Sequence, residues 1–316
     1  MNTQFNIPDE IRRCVYLTGA LCAANHLYGK HATKKHLLRA APENFFDWKG
    51  VNVYYKQIGT GDPVILVHAV HPAGSAFEWS RIADALAENH TVYMMDLPGC
   101  GRSGKPKLRY TSLYYMQFLY DFMEFLGLEH ADIIASNRSA AFVLMLAAFK
   151  PELVGKMLLI SPPAVSRMAE APDLGSRIKC TAVNLPILGT FIYNIISSRP
   201  QIDNYFSEKY LYNPFHDSDA LIDTYFESAH LGQNAGHYLA ASYVGKHLNI
   251  NVTHAVQTLK NPLKILIGEQ TAGSKKAAEE WKALRKNLEC VLLPHTRQLP
   301  AFEEPESVIK EIVSFL

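Results

Sequence analysis

From about residue 45 onward, short apolar runs of strand length alternate with stretches of helical spacing. That alternation restricts the chain to a mostly parallel sheet with helices on both faces. Val51–Ile58 alternates and ends at the turn Gly59-Thr-Gly-Asp62. Pro63–Val70, Thr91–Met95, Asp132–Ala135 and Lys156–Ser161 read as buried strands, separated by helical spacing over Phe77–Glu88, Ser112–Leu126 and Ala140–Lys150. Between about 165 and 255 no comparable strand occurs. Aromatic residues such as Tyr193, Tyr205, Phe206, Tyr210 and Tyr243 recur there at helical intervals, which predicts a helical insertion covering the sheet. Strands resume at Leu263–Ile267 and Cys290–Leu293, around a helix Lys275–Asn287, and Glu304–Leu316 closes the chain as an amphipathic helix. The expected units are an N-terminal helical extension (1–45), an α/β core (46–165 and 255–316) and a helical cap (166–254).

The 316 residues suffice for a large core, and 48% hydrophobic with 19% charged residues excludes wholesale disorder. Thirty-one basic against thirty acidic residues, with no basic stripe, give no reason to expect a nucleic-acid partner. Five scattered cysteines (Cys14, Cys22, Cys100, Cys180, Cys290) show neither paired nor zinc-ligand spacing, so no metal and no cofactor is expected. They point to a reducing, cytoplasmic setting. Near the N-terminus, Arg12-Arg13 precede a mildly apolar run, Cys14 to Tyr28, followed by Lys30, Lys34 and Lys35. The run is short for a membrane span, which needs about 20 apolar residues. Three readings stay open: a helix packed on the body, peripheral membrane contact through residues 10–40, or a processed signal.

The stretch Asp132-Ile-Ile-Ala-Ser-Asn-Arg-Ser-Ala140 carries an apolar strand into a turn of small residues and out into an Ala- and Leu-rich helix. A G-x-S-x-G elbow uses this context to lift a serine to the top of an α/β sheet. Here the pattern reads Ala135-x-Asn137-x-Ser139, and an amide does not attack a carbonyl as an activated hydroxyl does.

The order of elements and several motifs resemble the α/β-hydrolase fold superfamily, in the branch with a helical cap inserted after the sixth strand. The resemblance covers roughly residues 46–316. Val64-Ile-Leu-Val-His68-Ala69 resembles the strand ending in His-Gly before the oxyanion loop, with Ala69 replacing glycine. Asp96-Leu-Pro-Gly-Cys-Gly-Arg-Ser103 is nearly the family's D-x-P-G-x-G-x-S loop. Pro151 follows Asn137 at the family's separation between the nucleophile and the proline ending its helix, which assigns the nucleophile position to Asn137. The resemblance also puts Thr271 at the acid position, three residues after Gly268. Gln298 falls at the histidine position, five residues before Glu303 of the E-x-P motif.

With an amide, a hydroxyl and another amide there, the serine–histidine–acid mechanism has neither nucleophile nor base. Asn137, Thr271 and Gln298 are expected to form an uncharged polar cluster at a pocket floor. Salvage chemistry would fall to Ser136, Ser139 and His295. Against that, His295 reads as a loop histidine, Ser139 as a helix cap, and Ser136 as pointing away from the pocket. His68, Ala69, Val70, Asn137 and Arg138 are the candidate ligand-binding residues. The Arg138 side chain would clamp a carboxylate or pair with Glu269. His68 and His71 flank the oxyanion loop as structural histidines, and Cys100 is read as chosen for small size. The functional expectation is a catalytically degenerate protein binding a small, mainly apolar ligand or a partner under the cap. The alternatives are an active hydrolase of an ester, lactone or similar acyl compound using relocated residues, and a membrane-surface or scaffold protein.

Overall fold

The computed structural model describes residues 8–39, 44–213 and 218–316. Among these, eight strands form one sheet: β1 (Asn44–Trp48), β2 (Val51–Ile58), β3 (Asp62–Val67), β4 (His90–Met95), β5 (Ala131–Ser136), β6 (Val154–Ile160), β7 (Leu263–Gly268) and β8 (Glu289–Leu293). Their order is β1-β2-β4-β3-β5-β6-β7-β8. β1 and β2 pair antiparallel, as do β2 and β4, and the remaining pairs are parallel.

Alternation along the strands divides the core in two. Ile65 and Val67 of β3, Ile133 and Ala135 of β5 and Met157 and Leu159 of β6 face the helices Ser112–Phe125, Ser139–Phe149 and Ser274–Leu284. Val64, Leu66, Ile134, Leu158 and Ile160 face the other way, onto Trp79, Ile82, Val308 and Ile312. Burial of each large apolar side chain contributes roughly 1.5–3 kcal/mol. The helix Ser112–Phe125 shows why its sequence folds so. Thr111 caps it by accepting the Tyr114 N–H, and Tyr115, Phe118, Leu119 and Phe122 fall on one buried stripe.

Two expectations need correction. Strand β1 was not anticipated. It pairs with β2 across Lys49–Gly50, whose φ values of 53° and 81° make a primed hairpin turn without the usual Asn-Gly signal. The single helix expected over Phe77–Glu88 is instead a 3₁₀ turn, Ala76–Trp79, and a short helix, Ala83–Leu86. The break coincides with inward anchoring of Glu78, whose carboxyl group accepts the Ala69 N–H at 2.8 Å.

Between β6 and β7 the described chain is helical. The helices Leu174–Asn184, Leu188–Ile196, Arg199–Tyr205, Ser218–His230 and His237–Val244 form a layer above the carboxyl ends of the parallel strands. The N-terminal helix Asp9–Ala32 packs on two of them, Leu188–Ile196 and Ser218–His230. Asn25 anchors it there: its amide donates to the Ile187 carbonyl, its Oδ1 accepts from Asn194, and its carbonyl accepts from Asn234. Further on, the Leu37 and Leu38 N–H groups donate to Glu227 of the cap, while the Leu38 carbonyl accepts from Arg102 of the β4 loop. Among the described residues no helix is long and apolar enough to cross a membrane.

Candidate functional site

β5 delivers the chain to Asn137, which takes the left-handed conformation at φ 50°. Asparagine tolerates that region better than most side chains do. The Asn137 N–H donates to the Ile160 carbonyl at 2.8 Å, which fixes the turn to the end of β6. The departing helix, Ser139–Phe149, is apolar on nearly every face and is buried almost throughout. Behind the turn the loops interlock. Ser139 Oγ donates to the His68 carbonyl at 2.6 Å rather than capping its own helix. Asp96 accepts the N–H groups of Ala76 and Arg102 and the Arg102 Nε. Gly101, at φ 46°, is required there, because a Cβ would lie 2.3 Å from the Asp96 carboxylate.

In front of the turn, Asn137 and Gln298 meet. Asn137 Nδ2 donates to Gln298 Oε1 at 3.0 Å, and the Gln298 N–H donates to the Tyr210 carbonyl at 3.1 Å. Asn137 Oδ1 accepts the N–H of Arg138 at 2.9 Å. Thr271 lines the same groove, of about 770 Å³, but joins no cluster. Its Oγ1 is buried without a hydrogen-bond partner, so the expected three-membered cluster is a pair with the hydroxyl set apart. Arg138 departs from expectation as well: it pairs with Asn249 and lies 5.0 Å from the centre of the Tyr243 ring, not against Glu269.

The remaining residues singled out from the sequence divide clearly. His68 has both ring nitrogens engaged, with Nε2 accepting the Leu97 N–H and Nδ1 donating to the Ala69 carbonyl. Burial pushes its pKa down to about 4, so it is a neutral strut and offers no ring nitrogen to a ligand. The Ala69 N–H is taken by Glu78, and Val70 is a core side chain. Burial pushes Glu78 up to about 7 against the hydrogen bonds from Ser136 and Ala69. Ser136 is therefore turned to Glu78 in the interior. His295 is exposed at φ 57°, with its ring 5.6 Å from that of Tyr212. The structure brings neither Ser136 nor Ser139 to His295.

Sequence reasoning missed a second cavity, of about 340 Å³, between the loop after β3 and the cap. Its walls include Ile196, Phe206, Tyr210 and Tyr243. Tyr205, Tyr210 and Tyr243 line both spaces, and the cap aromatics at helical spacing were the signal for it. His71, read as structural, reaches this cavity. Its ring stacks on Tyr225 at 5.9 Å, its Nε2 is buried without a partner, and burial holds its pKa down to about 3. Ser197, also in the wall, lies 3.3 Å from His230 Nε2, although its hydroxyl donates to the Tyr193 carbonyl at 2.6 Å.

Known proteins share this architecture. The profile of a family described as "alpha/beta hydrolase fold" matches residues 62–178. A serine hydrolase involved in carbazole degradation superposes with a TM-score of 0.70 at 19% identity, over 87% of this chain and 98% of that one.

The chain has the α/β-hydrolase fold.

Within that fold, similarity in sequence is confined to part of the chain. A 2-hydroxy-6-oxo-6-(2'-aminophenyl)hexa-2,4-dienoic acid hydrolase of Metapseudomonas resinovorans is 31% identical over 121 residues, 37% of this chain and 41% of that protein. A haloalkane dehalogenase of Agrobacterium fabrum is 26% identical over 125 residues, 40% of each protein. The chain thus matches well under half the length of these curated relatives.

Proposed function

We propose that this α/β-hydrolase-fold protein has given up triad hydrolysis and holds a small, mainly apolar ligand beneath its cap. The observation that carries the reading is the Asn137–Gln298 hydrogen bond at 3.0 Å. In the proposed alignment of roles, an amide pair stands where nucleophile and base would meet. Neither amide ionises near neutral pH, so neither activates a nucleophile. The Arg138 N–H, which follows the nucleophile position and so takes the place of an oxyanion donor in this fold, already serves the Asn137 side chain. Two buried polar atoms without protein partners, Thr271 Oγ1 and His71 Nε2, supply hydrogen bonds that a ligand can complete. The aromatic walls around His71 fit a neutral, largely apolar molecule with one hydroxyl or carbonyl group.

A second reading, an active hydrolase, is favoured by the named activities of the relatives and by the Ser197–His230 contact in the cavity wall. One experiment separates the two. The protein is incubated with a fluorophosphonate probe and a panel of short and long nitrophenyl esters, then analysed by intact-mass spectrometry. The binding reading expects no turnover and no adduct. An adduct at Ser197, Ser136 or Ser139, with turnover lost in the matching alanine variant, establishes the hydrolase instead.

A further inference from the structure

The cap carries an apolar surface that the fold itself does not cover. Of twenty exposed large hydrophobic side chains among the described residues, twelve lie on the helix Asp9–Ala32 or on residues 174–196. On the first are Ile11, Val15, Tyr16, Leu17 and Leu27; on the second, Leu174, Ile178, Leu185, Leu188, Phe191, Ile195 and Ile196. The helices involved are neighbours, since Leu188–Ile196 packs on both Asp9–Ala32 and Leu174–Asn184. Scattered exposed leucines need no explanation, but a concentration on three helices packed in a row, with Leu188–Ile196 in the middle, does.

The N-terminal helix narrows the choice of what covers this surface. From Cys14 to Gly29 it holds no formally charged residue, and from Asp9 to Ala20 every position is exposed, on all sides of the helix. A second protein copy would cover one stripe of such a helix. Lipid at the headgroup–acyl boundary covers a wider arc. Charge points the same way. Residues 1–40 hold six basic side chains (Arg12, Arg13, Lys30, Lys34, Lys35, Arg39) against Asp9 and Glu10, whereas the whole chain is only +1. The rest of the molecule is therefore net negative, and the positive end is the one bearing the exposed apolar helix. Ile196, at 49% exposure, also lines the aromatic cavity, so the cavity opens beside this face.

We propose that the face formed by the helix Asp9–Ala32 and residues 174–196 docks on an anionic phospholipid bilayer, lying in the interface without crossing it. Docking sets the mouth of the cavity against lipid, and an apolar ligand then enters without passing through water; this last point rests on the ligand-binding reading, while docking does not. The test is flotation of the full chain with vesicles of phosphatidylcholine containing a minor fraction of phosphatidylserine, and with phosphatidylcholine alone. The protein is expected to float with the anionic vesicles and to be released by high salt. Phe191→Asp with Ile195→Asp should lower partitioning at least about tenfold. Arg12→Gln and Arg13→Gln should each lower it about fivefold. Phe149→Asp, at a still more solvent-exposed residue but at the far end of the elbow helix, should leave it unchanged, and circular dichroism of each variant checks folding. Protein that stays in the soluble fraction with both vesicle types overturns the proposal. So does a concentration-dependent dimer, seen by sedimentation without lipid, that Phe191→Asp with Ile195→Asp abolishes. Such results would leave the reading of the cavity standing, because flotation does not depend on a bound ligand.

Discussion

Behind Asn137, buried polar atoms are closely partnered; in front of it, some are left open. His68 spends both ring nitrogens on backbone groups, Asp96 accepts three N–H bonds, and Ser103 joins the Tyr54 N–H to the Asp96 carbonyl. Across the turn, Thr271 Oγ1 and His71 Nε2 are as dry but bond to nothing in the protein. Since an unmet buried polar group costs about 1–3 kcal/mol, the rear network is scaffold, and the front atoms are where a ligand would restore what folding gives up. Lack of a partner is not confined to the front, since Trp79 Nε1 and Asn261 Oδ1 are buried without one as well, so the contrast concerns the named residues on the two sides of the turn.

The largest blow to the contrast should come from Asp96→Ala. It takes the carboxylate from the largely buried Arg102, which keeps its hydrogen bond to the Leu38 carbonyl, and from the Ala76 N–H, and should cost about 3–5 kcal/mol in urea unfolding. A loss under about 1 kcal/mol would remove the scaffold role assigned to the rear network.

Next comes Glu78, which lies between the two sides. A carboxyl raised from 4.5 to about 7 keeps its proton in the folded chain where the unfolded chain has released it. Its contribution to stability is therefore full below about pH 4.5 and lost as pH rises through about 7. Relative to the parent, Glu78→Gln should gain about 3 kcal/mol between pH 4 and pH 8. His68 and His71, held low by burial, give the opposite slope in both proteins and cancel in the difference. Parallel stability curves for parent and variant would refute the buried, protonated Glu78.

A smaller effect is expected at the turn. Asn137→Val forces a β-branched residue into the left-handed region and should lower stability by about 1–2 kcal/mol, read as a drop in Tm. Smallest of all, Thr271→Val should change stability by less than about 1 kcal/mol, because no protein bond is lost, yet it should weaken uptake of a hydroxyl-bearing ligand in calorimetric titration. Marked destabilisation by Thr271→Val would place the hydroxyl with the scaffold and erase the contrast.

The legible parts of the molecule were those whose physics is local. β3 to β7 announce themselves as apolar runs, and the Gly-rich loop shows why its glycine is needed once Asp96 is seen against Gly101. The β1–β2 hairpin was invisible because Lys49 adopts a positive φ without the residue type that signals it. Glu78 looked like one acid on a helical stretch, and only the packing of the β3 loop on β5 makes it a buried carboxyl bonded to Ala69 and Ser136. Arg138 found Asn249, 111 residues away, a pairing that no local pattern encodes. The cavity around His71 joins the β3 loop to cap helices more than a hundred residues later. Its aromatics could be seen in the sequence, but not the space they enclose.

The attachment of the N-terminal helix to the cap has a mechanical consequence. An insertion between β6 and β7 is joined to the sheet by two chain crossings, and two crossings leave a hinge. Here the chain also runs from the cap-bound Asp9–Ala32 helix through Leu37 and Leu38 to β1, a third crossing. Leu38 is pinned to Glu227 on the cap and to Arg102 on the sheet side at once. A plate held at three points does not swing as a lid does, so the cap is braced against rotating as a whole.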